Sequence, residues 1–480
     1  MDTLFYYIVY SIVVLAVCLR ILFKTTSTSK ALAYMLLVIV VPLLRIFLYF
    51  SFGDNYRKKK LYLKKLQFDH ESYTELKRHL IDYEDEILSR NKERLSYFGP
   101  LANYRKTESL TSDNNRVSLL INGESKFSEV IKSLKSAKNH IHIEYYIFED
   151  DEIGNAIGDI LIDKAQEGVE VRFIYDDFGS SKMSRKFIKK LKQHGVEIKA
   201  FYKILFIPFA NRLNYRNHRK IIVIDGDIGF VGGINVSDQY INCGKNKLYW
   251  RDTHLKIQGA SVLNLQYIFL TDWNFCSGQN IAFTSKYFDF RILKETYGNQ
   301  LTQIVASGPD SNYPNIMYTI IQAILLSKKS IKITTPYFIP DRSFIDAISI
   351  AALSDIKIQL ILPGVSDSYI INAASNTYVQ ELLDIGVEVY KYEKGFIHAK
   401  TMVCDDYVCF IGTANMDNRS FDLNFEVNAL VYDTQLAKEL NDNFEQDLKV
   451  SKQVNKIEWE RRPLSVQLIE KLVNLFSALM

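Results

Sequence analysis

"NYRNHRKIIVIDGDIGFVGGIN", residues 214–235, decides the fold. Its alternation at period 2 and its wealth of Ile and Val predict two strands joined by a turn at Asp225 to Asp227. Residues i and i+2 of a strand share a face, so His218 and Lys220 are aimed at one space. A single occurrence reads equally well as an edge strand with solvated charges. A second copy stands at residues 396–415, "FIHAKTMVCDDYVCFIGTAN", where His398, Lys400 and Asp405 repeat the spacing of His218, Lys220 and Asp225 at an offset of 180 residues. Gly232 and Asn235 recur as Gly412 and Asn415 at the same offset, which marks an internal duplication.

The surroundings repeat as well. In the first half "KNHIHIEYYIF" reads as strand, "IGNAIGDILIDKAQEG" as helix, "VEVRFIYDD" as strand and "SRKFIKKLKQHG" as helix. In the second half "KKSIKITTPYF", "RSFIDAISIAALS", "IKIQLILPG" and "TYVQELLDIG" follow the same order. Alternating strand and helix, written twice, predicts an α/β fold of two mixed-sheet domains facing each other across a pseudo-two-fold axis, at residues 116–295 and 296–480. The offset is 190 at the first strand and 180 at the motif, so the first half carries about ten extra residues. "KILFIPFANRL", residues 203–213, is that insertion: either a loop over the site that touches lipid through Phe206 and Phe209, or one tucked on the domain surface.

At 480 residues the chain is too long for one core. Its 48% hydrophobic and 24% charged residues are those of a folded protein, and a net charge of +4 excludes no partner class. Five cysteines without a CxxC suggest neither a disulfide framework nor a zinc site. Two apolar stretches at the amino terminus, Leu4 to Phe23 and Ala31 to Phe50, are each long enough to cross a bilayer, with Arg20 and Arg45 placed to snorkel. They predict a transmembrane hairpin over residues 1–52, a single anchor being the alternative. The basic run "NYRKKKLYLKK" opens a charge-rich juxtamembrane connector, residues 53–115. By the positive-inside rule it places the large carboxyl-terminal part in the cytoplasm, held at the cell membrane by two spans.

Two His, two Lys and two Asn converging at a domain interface suit a transferring phosphoryl group, whose oxygens need compensating charge and hydrogen bonds. One imidazole attacks phosphorus and the other protonates the leaving oxygen. A nucleophilic His also needs an acceptor on its other ring nitrogen. Asp252, 34 residues after His218, and Glu426, 28 residues after His398, lie on corresponding strands, and each is expected to orient the histidine of its own half. Asp225 and Asp405 fall at the turns, where they are expected to hold the turn and the lysine rather than act as bases.

The paired His-x-Lys-x4-Asp-x6-Gly-x-x-Asn motifs resemble those of the phospholipase D superfamily. With "YWRDTHLKIQGASVLNLQYIFLTDWNF", "TPYFIPD", "GTANMDNRSFDLNFEVNALVYD" and two amino-terminal spans, essentially the whole chain is similar to bacterial cardiolipin synthases. The resemblance implies ping-pong phosphatidyl transfer without metal or cofactor. His218 attacks one phosphatidylglycerol to give a phosphatidyl-histidine and glycerol. His398 protonates the leaving glycerol and then deprotonates a second phosphatidylglycerol, which forms cardiolipin. Lys220, Lys400, Asn235 and Asn415 bind phosphate oxygens. The motifs differ at one point: Thr413 stands where the first half has Gly233, which keeps a hydroxyl near the phosphate.

The same residues serve a hydrolase using water, or a transferase using another alcohol. A nuclease is disfavoured because the basic residues cluster beside the membrane instead of along a groove, so no nucleic-acid partner is expected. A degenerate, membrane-tethered binding protein is disfavoured by the intact His, Lys and Asn of both halves. The other histidines lack metal-ligand spacing. His140 and His142 share a strand face, with a structural or a pocket role, and "SVQLIEKLVNLFSALM" has amphipathic spacing that fits packing on the body or dipping into the interface.

Overall fold

The computed structural model describes residues 2–24, 32, 35, 70–104, 109–202, 215–242 and 248–475. Helix Asp2–Lys24 belongs to one compact unit, and the described residues from 70 onwards to another. The second apolar stretch and the 203–213 insertion lie outside the described residues. Among the described residues no helix is long and apolar enough to cross a membrane. On helix Asp2–Lys24 itself, Phe5, Ile8, Ile12, Leu15, Leu19 and Leu22 form an exposed apolar stripe.

The first half supplies strands β1 (Leu110–Ile121), β2 (His140–Tyr145), β3 (Glu170–Tyr175), β4 (Glu197–Ala200), β5 (Lys220–Ile224), β6 (Ile228–Gly232), β7 (Trp250–Arg251) and β8 (Thr253–Gln258). The second supplies β9 (Gln300–Ser307), β10 (Ser330–Thr334), β11 (Phe338–Ile339), β12 (Lys357–Pro363), β13 (Glu388–Tyr392), β14 (Phe396–Ile397) and β15 (Thr401–Cys404). After these come β16 (Val408–Gly412), β17 (Met416–Asp417), β18 (Glu426–Tyr432) and β19 (Ser451–Gln453). Fifteen of them form one sheet in the order β19-β13-β12-β10-β15-β16-β18-β9-β1-β8-β6-β5-β2-β3-β4. The outer arms β2-β3-β4 and β10-β12-β13 are parallel, and the motif hairpins β5-β6 and β15-β16 are antiparallel.

Duplication alone predicts two separate sheets, yet β1 pairs with β9, Leu110 opposite Ile304 and Asn115 opposite Gln300. Each repeat would otherwise end in an open edge of unpaired N–H and C=O groups, and pairing the two edges removes both. The core runs through the seam, where Val117, Ile221 and Val231 pack in one cluster with Val403, Ile411 and Val427. Helices Ser261–Ser277 and Thr434–Lys449 cover this face through Val262, Leu265, Leu436 and Leu440.

The opposite face carries a helical layer in each half. Asn122–Ser136, Glu152–Gln166 and Arg185–Gln193 bury Val130, Leu134, Ile157 and Leu191 against β2 and β3. Asp151, Ser184, Asp341, Ser368 and Asp433 cap helices by accepting from backbone N–H groups three residues on, which sets where each helix begins. The described part of the connector folds inwards: Ile87, Leu95, Phe98 and Leu101 are buried among Leu301, Ile316 and Ile320. The carboxyl-terminal helix Leu464–Leu475 packs on helix Tyr369–Asp384, where buried Glu470 accepts from Asn376 at 2.9 Å and pairs with Arg462 at 2.8 Å. Its Leu464, Leu468, Leu472 and Leu475 remain exposed.

Candidate active site

Lys220 opens motif strand β5 and Lys400 immediately precedes β15, and each ammonium donates to the carbonyl of its own motif histidine, at 2.7 Å for His218. Both lysines are buried, 0% and 3% exposed. Burial pulls Lys220 down to about 7 and Lys400 to about 8, with the facing lysine adding to the fall in Lys220 and Asp252 and Glu426 opposing it in both. One pair of carboxylates acting on both lysines puts the two motifs at one site. Gly232 and Gly412, the invariant spacing elements of the duplicated pattern, end β6 and β16 against the Cα atoms of His254 and Asn428, where a side chain would have no room.

The histidine partners are crossed, which corrects the expectation that each carboxylate serves its own half. His218 Nδ1 lies 2.9 Å from Glu426 Oε2, and His398 Nδ1 lies 2.6 Å from Asp252 Oδ2. Local pairing dictates the crossing. His218 N–H donates to the Phe425 carbonyl at 3.0 Å and Asn217 bridges Phe425, so the next residue, Glu426, stands beside the imidazole. Likewise β14 pairs with β7, and His398 N–H donates to the Arg251 carbonyl at 2.7 Å, which brings up Asp252. Both Nδ1 atoms are therefore engaged by carboxylates of the other half.

The electrostatics of the two pairs differ. Burial, reinforced by Lys220, Lys400 and Arg419, pushes His218 well below its ordinary value. Burial and Lys400 bring His398 to about 4. Burial raises Glu426 to about 7, whereas in Asp252 the effect of burial is outweighed by His398 and Lys400, which hold it below the ordinary carboxylate range. Thr413 donates its hydroxyl to Glu426 and accepts from Val427 N–H at 2.9 Å. It braces the carboxylate, in place of the phosphate contact expected from sequence. In the first half an ideal Cβ on Gly233 would meet Asp252 Oδ1 at 2.2 Å, so the nearer carboxylate demands glycine.

Asp225 and Asp405 also depart from expectation, because neither holds a lysine. Each lies at φ 53° in its turn, a conformation that Asp tolerates. Asp225 accepts from the backbone N–H groups of Lys138, Asn139 and His140. Asp405 accepts from those of Lys328, Lys329 and Ser330, and from the Tyr97 hydroxyl at 2.7 Å. They clamp the start of the neighbouring strand. Asn235 is buried, donates to the Tyr240 hydroxyl at 2.6 Å and accepts from Ile147 N–H, while Asn415 keeps an unpaired, buried carbonyl oxygen. His140 and His142 lie outside the site, tied to Gln266, with His142 stacked on Phe269 at 4.5 Å.

Sequence reasoning missed the flanks. Around His218, Asn217 donates to Glu144 and takes its N–H to Asp176, while Arg219 bonds Asp272, the Glu426 carbonyl and the Ser307 carbonyl. Around His398 the neighbours are rings: Tyr240 at 5.8 Å and Trp250 and Phe396 each at 5.7 Å. The signal was present in the two copies, since Arg216, Asn217 and Arg219 align with Phe396, Ile397 and Ala399.

The family profile described as "Cardiolipin synthase, PLD-like domain" matches twice, at residues 130–258 and 320–448. The chain is 40% identical over 468 residues to cardiolipin synthase 2 of Bacillus cereus, covering 96% of this chain and 88% of that one. It is 39% identical over 462 residues to the major cardiolipin synthase of Bacillus subtilis, covering 95% and 94%. Among solved structures, phosphatidylserine synthase of Haemophilus influenzae shares the fold, with a TM-score of 0.58 at 15% identity over 76% of this chain and 93% of that one. The chain belongs to the cardiolipin synthase family of phospholipase D-like proteins.

Proposed function

We propose that the protein makes cardiolipin from two phosphatidylglycerols through a phosphatidyl-His218 intermediate. The observation that carries the reading is the crossed pair of imidazoles, each held by a carboxylate of the other half beside two buried lysines. His218 faces three cations and a carboxyl whose ordinary ionisation is opposed by burial, so it stays neutral and nucleophilic. His398 has the fully ionised Asp252 at 2.6 Å, and a bound phosphodiester adds further negative charge, so it is the better imidazolium.

His218 Nε2 attacks phosphorus as the bond to the glycerol oxygen breaks, and His398 Nε2 gives its proton to that oxygen. The primary hydroxyl of a second phosphatidylglycerol returns a proton to His398 and attacks phosphorus, releasing His218. Lys220 and Lys400 compensate charge on the non-bridging oxygens, with Asn235 and Asn415 shaping the cradle. The chain needs no metal or cofactor for these steps, and its partner is a membrane lipid. The exposed stripe of helix Asp2–Lys24, the second apolar stretch and the basic run after it support attachment to the cell membrane by a two-span hairpin, with the catalytic halves on the cytoplasmic side.

The test is product analysis with the purified full-length chain and radiolabelled phosphatidylglycerol in detergent, without divalent metal. Cardiolipin and free glycerol in equal amounts, lost in His218→Ala and His398→Ala, are the expected outcome. Phosphatidic acid as the main product would make water the acceptor and the protein a hydrolase.

A further inference from the structure

Cardiolipin formation poses a demand that the duplicated motif does not meet. The donor phosphodiester sits between the two imidazoles, but the acceptor phosphatidylglycerol brings a phosphodiester of its own, one glycerol away from the attacking hydroxyl. A second anion therefore has to be held beside the first. Lys220 and Lys400 are committed to the reacting phosphate and to the His218 and His398 carbonyls.

Arg216 is the group left over. It precedes His218 by two residues and is 3% exposed, yet its Nε and Nη1 have no hydrogen-bond partner. Its nearest carboxylate, Asp176, is 3.9 Å from Nη1, and that carboxylate already accepts from the N–H groups of Phe178, Gly179 and Asn217. The guanidinium lies over the ring of Phe178, 4.4 Å from its centroid, and Phe178 is itself 54% exposed. The Arg216 carbonyl accepts from Phe425 N–H at 2.8 Å, which fixes its backbone against the loop that carries Glu426.

A buried guanidinium with idle N–H groups is costly unless a ligand takes them, and guanidinium geometry matches two phosphate oxygens. Arg419 acts on Arg216, His218 and Tyr146 alike, and the Tyr146 ring stands 4.8 Å from the His218 ring. Arg216 thus stands two residues before the nucleophile, and the charge of Arg419 bears on both. At the equivalent positions of the other copy stand Phe396 and Gln239, neither of them cationic. The cationic pair is one-sided, as a site for one of two chemically identical lipids has to be.

We propose that Arg216, assisted by Arg419, is the subsite for the phosphodiester of the acceptor lipid, and so selects an anionic glycerol-bearing lipid over water. The proposal rests on the phosphatidyl-transfer reading above. The experiment uses the full-length chain in mixed micelles of phosphatidylglycerol and monoacylglycerol, an uncharged acceptor with the same free hydroxyl. Cardiolipin, phosphatidic acid and the monoacylglycerol transfer product are quantified together, so each ratio is independent of how much protein is folded.

Arg216→Gln is expected to lower both the cardiolipin to phosphatidic acid ratio and the preference for phosphatidylglycerol over monoacylglycerol on the order of tenfold. Arg216→Lys recovers part of each. Arg419→Gln shifts both ratios in the same direction by a smaller factor, and decides the matter if Arg216→Gln does not fold. Products falling together with ratios intact would overturn the subsite. A wild-type protein that makes no cardiolipin would instead overturn the transfer reading, and the subsite with it.

Discussion

His218 and His398 occupy equivalent places in a duplicated fold, yet their surroundings are built from opposite materials. The His218 side is a buried polar lattice of Asn217, Arg219, Glu144, Asp176 and Asp272, with Arg216 and Arg419 beyond it. The His398 side is an aromatic box of Tyr240, Trp250 and Phe396. Cations and a reluctant carboxyl keep the first imidazole neutral, while an ionised aspartate in an apolar box favours the second as imidazolium. Duplication supplies two of everything, and under the proposed mechanism divergence of the flanks would divide the roles of nucleophile and acid.

The largest expected effect separates nucleophile from acid. With a phosphatidyl donor carrying a p-nitrophenol leaving group, which departs without protonation, His398→Ala should still release a stoichiometric burst of nitrophenol. His218→Ala should release none, a difference on the order of 10³-fold or more. Equal bursts would erase the asymmetry.

The crossed carboxylates come next. Glu426→Gln removes the partner of His218 and should slow the burst by roughly 10- to 100-fold, whereas Asp252→Asn should leave the burst and slow cardiolipin formation. Pre-steady-state absorbance on both variants checks this, and the reverse pattern would restore the pairing within each half.

Copying the second half onto the first tests the lattice. Arg219→Ala, the residue found at 399, removes the cation that pairs with the buried Asp272 carboxylate and should cost about 3–5 kcal/mol of stability, read by chemical denaturation. Thr413→Gly, the residue found at 233, removes a hydroxyl donor to Glu426 and should cost only about 1 kcal/mol. Gly233→Thr, by contrast, meets Asp252 and should not be tolerated.

The smallest effect is in pH. As pH rises, the free protein loses the charge of Lys220 near 7 and of Lys400 near 8, so kcat/KM for the p-nitrophenol donor, which needs no proton from His398, should decline above about pH 7. His398 near 4 and His218, held well below its ordinary value, both stay neutral down to well below that range, so kcat/KM for this donor should be flat between about pH 5 and 6. A descending limb that begins below pH 6 would contradict the lysine assignment.

Much of this was legible in the sequence because period-2 alternation and a constant offset report local geometry. The β5-β6 hairpin turns at Asp225–Asp227 as its alternation predicts, and the helices and strands recur in the order written. The crossing of Asp252 and Glu426 was not legible, since equivalence by offset is silent about which half closes over which. It depends on the β7–β14 pairing and the Asn217–Phe425 bridge, contacts between segments far apart in the chain. The continuous sheet was hidden for the same reason, because β1 and β9 carry no signal of their pairing to each other. Asp225 and Asp405 were read correctly as turn residues, but the three N–H groups each accepts belong to another strand start.

In the proposed mechanism His218 carries the phosphatidyl group in a site completed by the other half. The most direct measurement is mass-spectrometric mapping of the covalent adduct in His398→Ala, after an alkaline quench that preserves the phosphorus–nitrogen bond. One phosphatidyl group is expected on the peptide containing His218. The same experiment on His218→Ala should show none. An adduct on His398, or cardiolipin formed with no adduct at either position, would contradict it.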